Sequence, residues 1–173
     1  MSRPYPYFPA FDGKKESDII RKVVELCSKR WKTGCHGTYL VRLMNNDHTK
    51  GKKIGDPGMD KWLSVHSTGF AADISVPIKN EAEREKVLTE IFDYFVKHSE
   101  ELRISELHHY SHKQFGRGYR SSRGAGLKGV KQFTKDDNAG SYRAAGTVAD
   151  WIHIEVEQQD VAAWEAFFRA NKV

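Results

Sequence analysis

The sequence predicts an α+β domain with a small, largely antiparallel sheet packed with helices. Three observations carry this. Segments 16–31 and 80–98 repeat apolar residues at helical spacing. Short segments at 71–77, 103–110 and 151–156 read as strands. The two kinds of element alternate irregularly, with no internal repeat and no interdomain linker.

The chain has 173 residues, which suits one domain with a real core. Its 39% hydrophobic and 29% charged residues are ordinary for a globular chain, and four Trp, seven Tyr and nine Phe exclude a disordered one. A net charge of +5 favours anionic partners (nucleic acid, membrane surface or bacterial cell wall) without choosing among them. Two cysteines, Cys27 and Cys35, make no disulfide framework, so synthesis in a reducing compartment is expected. The start, "MSRPYPYFPAFDGKK", has no apolar run after a basic stretch, so neither a secretory signal nor a membrane span is expected.

Residues 1–14 read as an extended lead-in. In 16–31, Ile19, Ile20, Val23, Val24, Cys27 and Trp31 define a buried helix stripe. "TYLVRLM", 38–44, suits a strand, and 45–61 is a polar, Gly-containing loop. In "AADISVP", Ile74 and Val76 share one face, and Asp73 and Ser75 share the other. The helix over 80–98 has Asn80 as cap, Glu83 completing a capping box, and Leu88, Ile91, Phe92 and Phe95 as its stripe. Residues 111–149 are rich in Gly, Ser, Arg and Lys with no clear period, and read as an insertion or lid. In "WIHIEV", Ile152, Ile154 and Val156 face one side, and His153 and Glu155 the other. A last helix follows Asp160.

A catalytic zinc site needs three protein ligands and one open position. "SVHSTGFAADISV" offers His66 and Asp73, seven positions apart, with Gly69 for a tight turn between them. The polar face of "WIHIEV" offers His153 as a third ligand. Asp150, placed on a loop just before that strand, would serve as the general base.

"SVHSTGFAADI" matches Ser-x-His-x-x-Gly-x-Ala-x-Asp, and "DWIH" matches an acidic residue-x-x-His. Together they resemble the zinc-dependent D-Ala-D-Ala carboxypeptidase and L-Ala-D-Glu peptidase family, which shares its fold with the Hedgehog signalling domain. The resemblance covers roughly residues 36–157. It implies zinc bound by His66, Asp73 and His153, Asp150 as catalytic acid/base, and Ser64 supporting the site through hydrogen bonds. The family's upstream arginine finds its best positional match in Arg42, although the surrounding residues differ. Many members carry Glu where Asp150 stands.

The resemblance implies a zinc peptidase cutting an amide bond in the peptidoglycan stem peptide, in the manner of a phage endolysin or a virion-associated lysin. It would be made in the host cytoplasm and act at the bacterial cell wall as a monomer, with no nucleic-acid or membrane partner. Two other classes stand beside this: a non-catalytic zinc module on the same scaffold, and a basic nucleic-acid-binding protein using 113–131, where Phe115 and Tyr119 interleave with arginines. That segment is read first as a solvated loop and second as a lid, with Arg117 or Arg120 gripping substrate carboxylates. His108, His109 and His112 read as surface or strand-edge histidines, one of which could line the cleft. Cys35-His36 reads as structural. Glu155 is either an outer partner of His153 or an exposed strand residue.

Overall fold

The computed structural model describes residues 3–4, 15–45, 47–137, 142–143 and 146–171. Among these residues are three α-helices, α1 (Asp18–Trp31), α2 (Glu81–Lys97) and α3 (Val161–Ala170). The strands are β1 (Gly34–Gly37), β2 (Ala71–Ser75), β3 (Ile104–His109), β4 (Arg117–Arg120), β5 (Val130–Gln132) and β6 (Trp151–Val156). They form one sheet, ordered β1-β2-β6-β3-β4-β5. All neighbouring pairs are antiparallel. The α+β expectation therefore holds.

Each helix starts where a polar cap takes up an otherwise orphaned N–H. Ser17 accepts from Ile20, Asn80 from Glu83, and Asp160 from Ala162. Replacing Asn80 with Ala is expected to lower stability by about 1 kcal/mol. Urea denaturation measures it, and an unchanged midpoint would contradict the assigned cap.

The strict alternation of β6 sorts the sheet into two faces. Ile74, Ile152, Ile154, Leu107 and Tyr119 are buried in the core with Leu88, Ile91, Phe92 and Phe95 of α2 and Ile19, Ile20, Val23 and Cys27 of α1. Asp73, His153, Glu155, His108, Glu106 and Arg120 line the opposite face. The apolar face thus carries the helices, and the polar face is left for chemistry.

Two expectations need correction. Residues 38–44 form no sheet strand, and only an isolated bridge, Leu43 to Leu63, touches this segment. Leu40 and Val41 are exposed, and the backbone groups bond the turn that carries His66 instead. The edge position belongs to Gly34–Gly37, where the chain leaves α1 through Lys32 in a left-handed conformation and pairs with β2. The 111–149 segment is not simply an insertion or lid, since β4 and β5 within it extend the sheet. The parts of that segment at 138–141 and 144–145 lie outside the described residues, as does the lead-in except Arg3 and Pro4. Arg3 pairs with Glu157 and donates to Ile104 O at 2.7 Å. No helix among the described residues is long and apolar enough to cross a membrane.

Candidate metal centre

His66 lies in a 3-10 turn, Val65–Thr68, which ends at Gly69 with φ 78°. A Cβ on Gly69 would come within 2.8 Å of Lys15 O, and the Gly69 carbonyl accepts from Ser17 N and Ser17 Oγ at 3.0 and 2.8 Å. The turn is therefore locked to the start of α1. Gly69→Ala combines a left-handed backbone with a backbone clash. It is expected to cost about 1–3 kcal/mol in a denaturation experiment.

β2 then carries Asp73 directly opposite His153 of β6. His153 Nδ1 lies 3.0 Å from Asp73 Oδ1 and 3.1 Å from His66 Nε2, and His66 Nε2 lies 3.4 Å from Asp73 Oδ1. Two donors bonded at about 2.05 Å to a tetrahedral ion are roughly 3.3 Å apart. The three atoms already make a triangle of that size. Two imidazoles and one carboxylate also match the donor chemistry of zinc, so the residues fit the ion.

The other ring nitrogen of His153, Nε2, meets Glu155 Oε1 at 3.0 Å. Glu155 is buried, so its part is that of an outer partner holding the ring, rather than an exposed strand residue. Glu155→Gln is expected to weaken metal binding by about 10–100-fold, read in a competition titration against a chelating dye. Unchanged affinity would remove Glu155 from the site.

Burial opposes charge on Asp73, but contacts with His153 and His66 outweigh it and hold the carboxyl well below the usual carboxylate range. Burial likewise disfavours a charged His153, yet Asp73 and Glu155 prevail and push its pKa up to about 10. In the metal-free protein the His153 ring therefore favours its protonated form, with Asp73 at Nδ1 and Glu155 at Nε2. This raised pKa contributes stability in full below the unfolded value of 6.5 and loses it as pH climbs through about 10. Metal must displace that proton, so zinc affinity should rise about tenfold per pH unit across this window. A flat affinity between pH 6.5 and 8.5 would contradict it.

His108 stands beside His153 on the neighbouring strand, with ring centroids 5.8 Å apart. Its Nε2 meets Glu106 Oε1 at 2.9 Å, and Arg120 donates to Glu106 Oε2 at 2.7 Å. Burial raises the Glu106 pKa, but His108 and Arg120 lower it further. Glu106 was not singled out in the sequence, although it shares strand parity with His108.

The remaining predicted residues separate by location. Ser64 is buried and lines the cleft, where its backbone N–H donates to Arg42 O. The hydroxyl that ties the neighbouring segment is that of Ser67, which donates to Leu40 O and accepts from Arg42 N. Arg42 lines the cleft, with its guanidinium donating to Leu43 O at 3.2 Å. Arg120 lines it too, but Arg117 does not. Arg117 pairs with Asp93 at 2.9 Å and lies over the Phe92 ring on the helix face, because residues 117 and 120 have opposite strand parity. Asp150 sits immediately before β6, as expected, but is not among the cleft-lining residues. Its Oδ1 lies 2.9 Å from His36 Nε2, beside Trp151. His109 and His112 are not surface histidines: they gather with Glu85 beneath α2, and His109 is fully buried.

The cleft over the triangle has a volume of about 1890 Å³. One wall carries Arg42, Lys50, Lys52, Lys53 and Lys61. Another carries Tyr110, Tyr142 and Trp151, whose rings lie 5.0–6.0 Å apart.

Residues 85–166, less than half of the chain, match the family described as immune inhibitor A peptidase M6, catalytic domain. The match supports a metallopeptidase, and with it a metal, usually zinc. The matched span contains Asp150 and His153 but starts beyond His66 and Asp73. The chain has no His-Glu-x-x-His motif, the pair of helix ligands used by many metallopeptidases. No curated protein and no solved structure matches the chain.

Proposed function

We propose that the chain is a zinc-dependent peptidase of the D-Ala-D-Ala carboxypeptidase and L-Ala-D-Glu peptidase kind, on a Hedgehog-like fold. It hydrolyses an amide bond in the peptidoglycan stem peptide. The observation that supports this best is the His66–Asp73–His153 triangle, assembled from two sequence motifs and opening on a basic and aromatic cleft. Zinc held there would polarise the scissile carbonyl and acidify its bound water.

The chain's own residues supply the rest. Glu155 fixes the His153 ring. Asp150 takes a proton from the attacking water and returns it to the leaving amine, with His36 orienting its carboxylate. Arg42 and the lysine wall attract the carboxylates of the stem peptide, and Arg120 borders the same floor. The enzyme works as a monomer, without nucleic-acid or membrane partners. It is made in a host cytoplasm and reaches the wall as a phage endolysin or as part of a virion.

The test is turbidity loss of purified cell walls. Wild type should clear them, chelator should stop clearing, and added zinc should restore it. Asp150→Asn should keep its zinc and lose about 10²–10⁴-fold in rate. The pairing of Asp150 with His36 outside the cleft lining favours a second reading, a zinc module without hydrolytic activity. No clearing by folded, zinc-loaded wild type would decide for it. An active Asp150→Asn would shift the base to the Glu106–His108 pair.

A further inference from the structure

We propose that Glu85, His109 and His112 form a second divalent-metal site, on the face of the sheet opposite the cleft, and that zinc bound there staples α2 to the sheet. Glu85 comes from α2, His109 from the end of β3, and His112 from the turn that follows. Their donor atoms lie within 4.8 Å of one another. Glu85 Oε1 is 3.2 Å from His109 Nε2 and 3.6 Å from His112 Nδ1. These separations bracket the roughly 3.3 Å expected for two ligands on one tetrahedral zinc.

A second observation points the same way. His109 is 0% exposed; its Nδ1 has no hydrogen-bond partner, and its Nε2 faces Glu85 Oε1. Glu85 Oε2 is also buried without a hydrogen-bond partner. Buried polar atoms are almost always satisfied, and an ion is one of the few things that can satisfy several at once. A Glu85 carboxylate using both oxygens, with two imidazoles, gives four donor atoms of the kind zinc takes.

Two nearby cations, Arg117 and Arg143, act electrostatically on Glu85, but each is paired with another carboxylate. Arg117 pairs with Asp93 at 2.9 Å, and Arg143 with Glu81 at 2.8 Å. The site has no part in the cleft lining, so its role is structural. His109 is the register partner of Ile152, the residue before His153. Metal here would therefore stiffen the strand pair that carries His153, without touching substrate.

The experiment counts zinc by native mass spectrometry of the full chain after zinc loading and desalting. Wild type should hold two equivalents and His66→Ala one, with folding checked by circular dichroism. In the His66→Ala background, zinc should raise the melting temperature by several degrees. Adding His112→Ala or Glu85→Gln should abolish both the ion and the rise. His66→Ala alone keeps the test independent of whether those double variants fold. If folded His66→Ala binds no zinc and its melting is indifferent to zinc, the second site is overturned while the cleft site stands. If wild type holds a single zinc that His66→Ala retains, the cleft reading fails and the second site stands.

Discussion

Asp73→Asn should leave a folded protein that no longer hydrolyses its substrate. Asp73 is the single anion of the His66–Asp73–His153 triangle, and the amide keeps its shape while removing the charge. Its backbone pairing with β6 is untouched, so the sheet should persist. Losing a direct ligand should weaken metal binding beyond the 10–100-fold typical of an outer partner. The rate should fall roughly a thousandfold or more, because several kcal/mol of charge stabilisation disappear at about 1.36 kcal/mol per decade. Zinc content and kcat/KM should fall together. Full activity in a zinc-depleted Asp73→Asn protein would exclude the triangle as the catalytic centre.

Phe95→Ala should give a large loss of stability. Phe95 is fully buried, with ring centroids 5.7–6.4 Å from Trp31, Tyr94, Trp164 and Phe168. This cluster joins α1, α2 and α3, so truncation opens a cavity that three helices would have to collapse to fill. The expected cost is about 3–5 kcal/mol, a large share of the roughly 5–15 kcal/mol that holds a typical domain together. Leu127→Ala is the control. Leu127 is 80% exposed, and its removal should change stability by less than about 0.5 kcal/mol. Equal midpoints for the two variants would contradict the packing described.

That His66, Asp73 and His153 come together was legible in the sequence because their placement depends on local rules. A two-residue period fixes where His153 points, a glycine fixes the turn after His66, and Asp73 follows from the same strand alternation. Adjacent residues on a strand face opposite ways, so the split of His108 from His109, and of Arg117 from Arg120, was also open to a parity argument once 104–109 and 117–120 were taken as strands. That the second was a strand was hidden by its composition, since Gly118 and two arginines read as loop. The apolar 38–44 stretch misled for the converse reason. Its propensity suits a strand, but its backbone partners are Ser67 and the His66 turn, which only the folded chain brings near. The pairing of Asp150 with His36 spans 114 residues, and no local pattern announces it.

The measurement that bears most directly on the central claim is the mass of peptides released from purified peptidoglycan by zinc-loaded protein, beside a count of newly freed amino groups. One new amine should appear for each stem-peptide bond cut, with a fragment set that identifies one bond type, and neither product should form with chelator or with Asp73→Asn. Folded, zinc-loaded protein that frees no amino groups from peptidoglycan would contradict that claim.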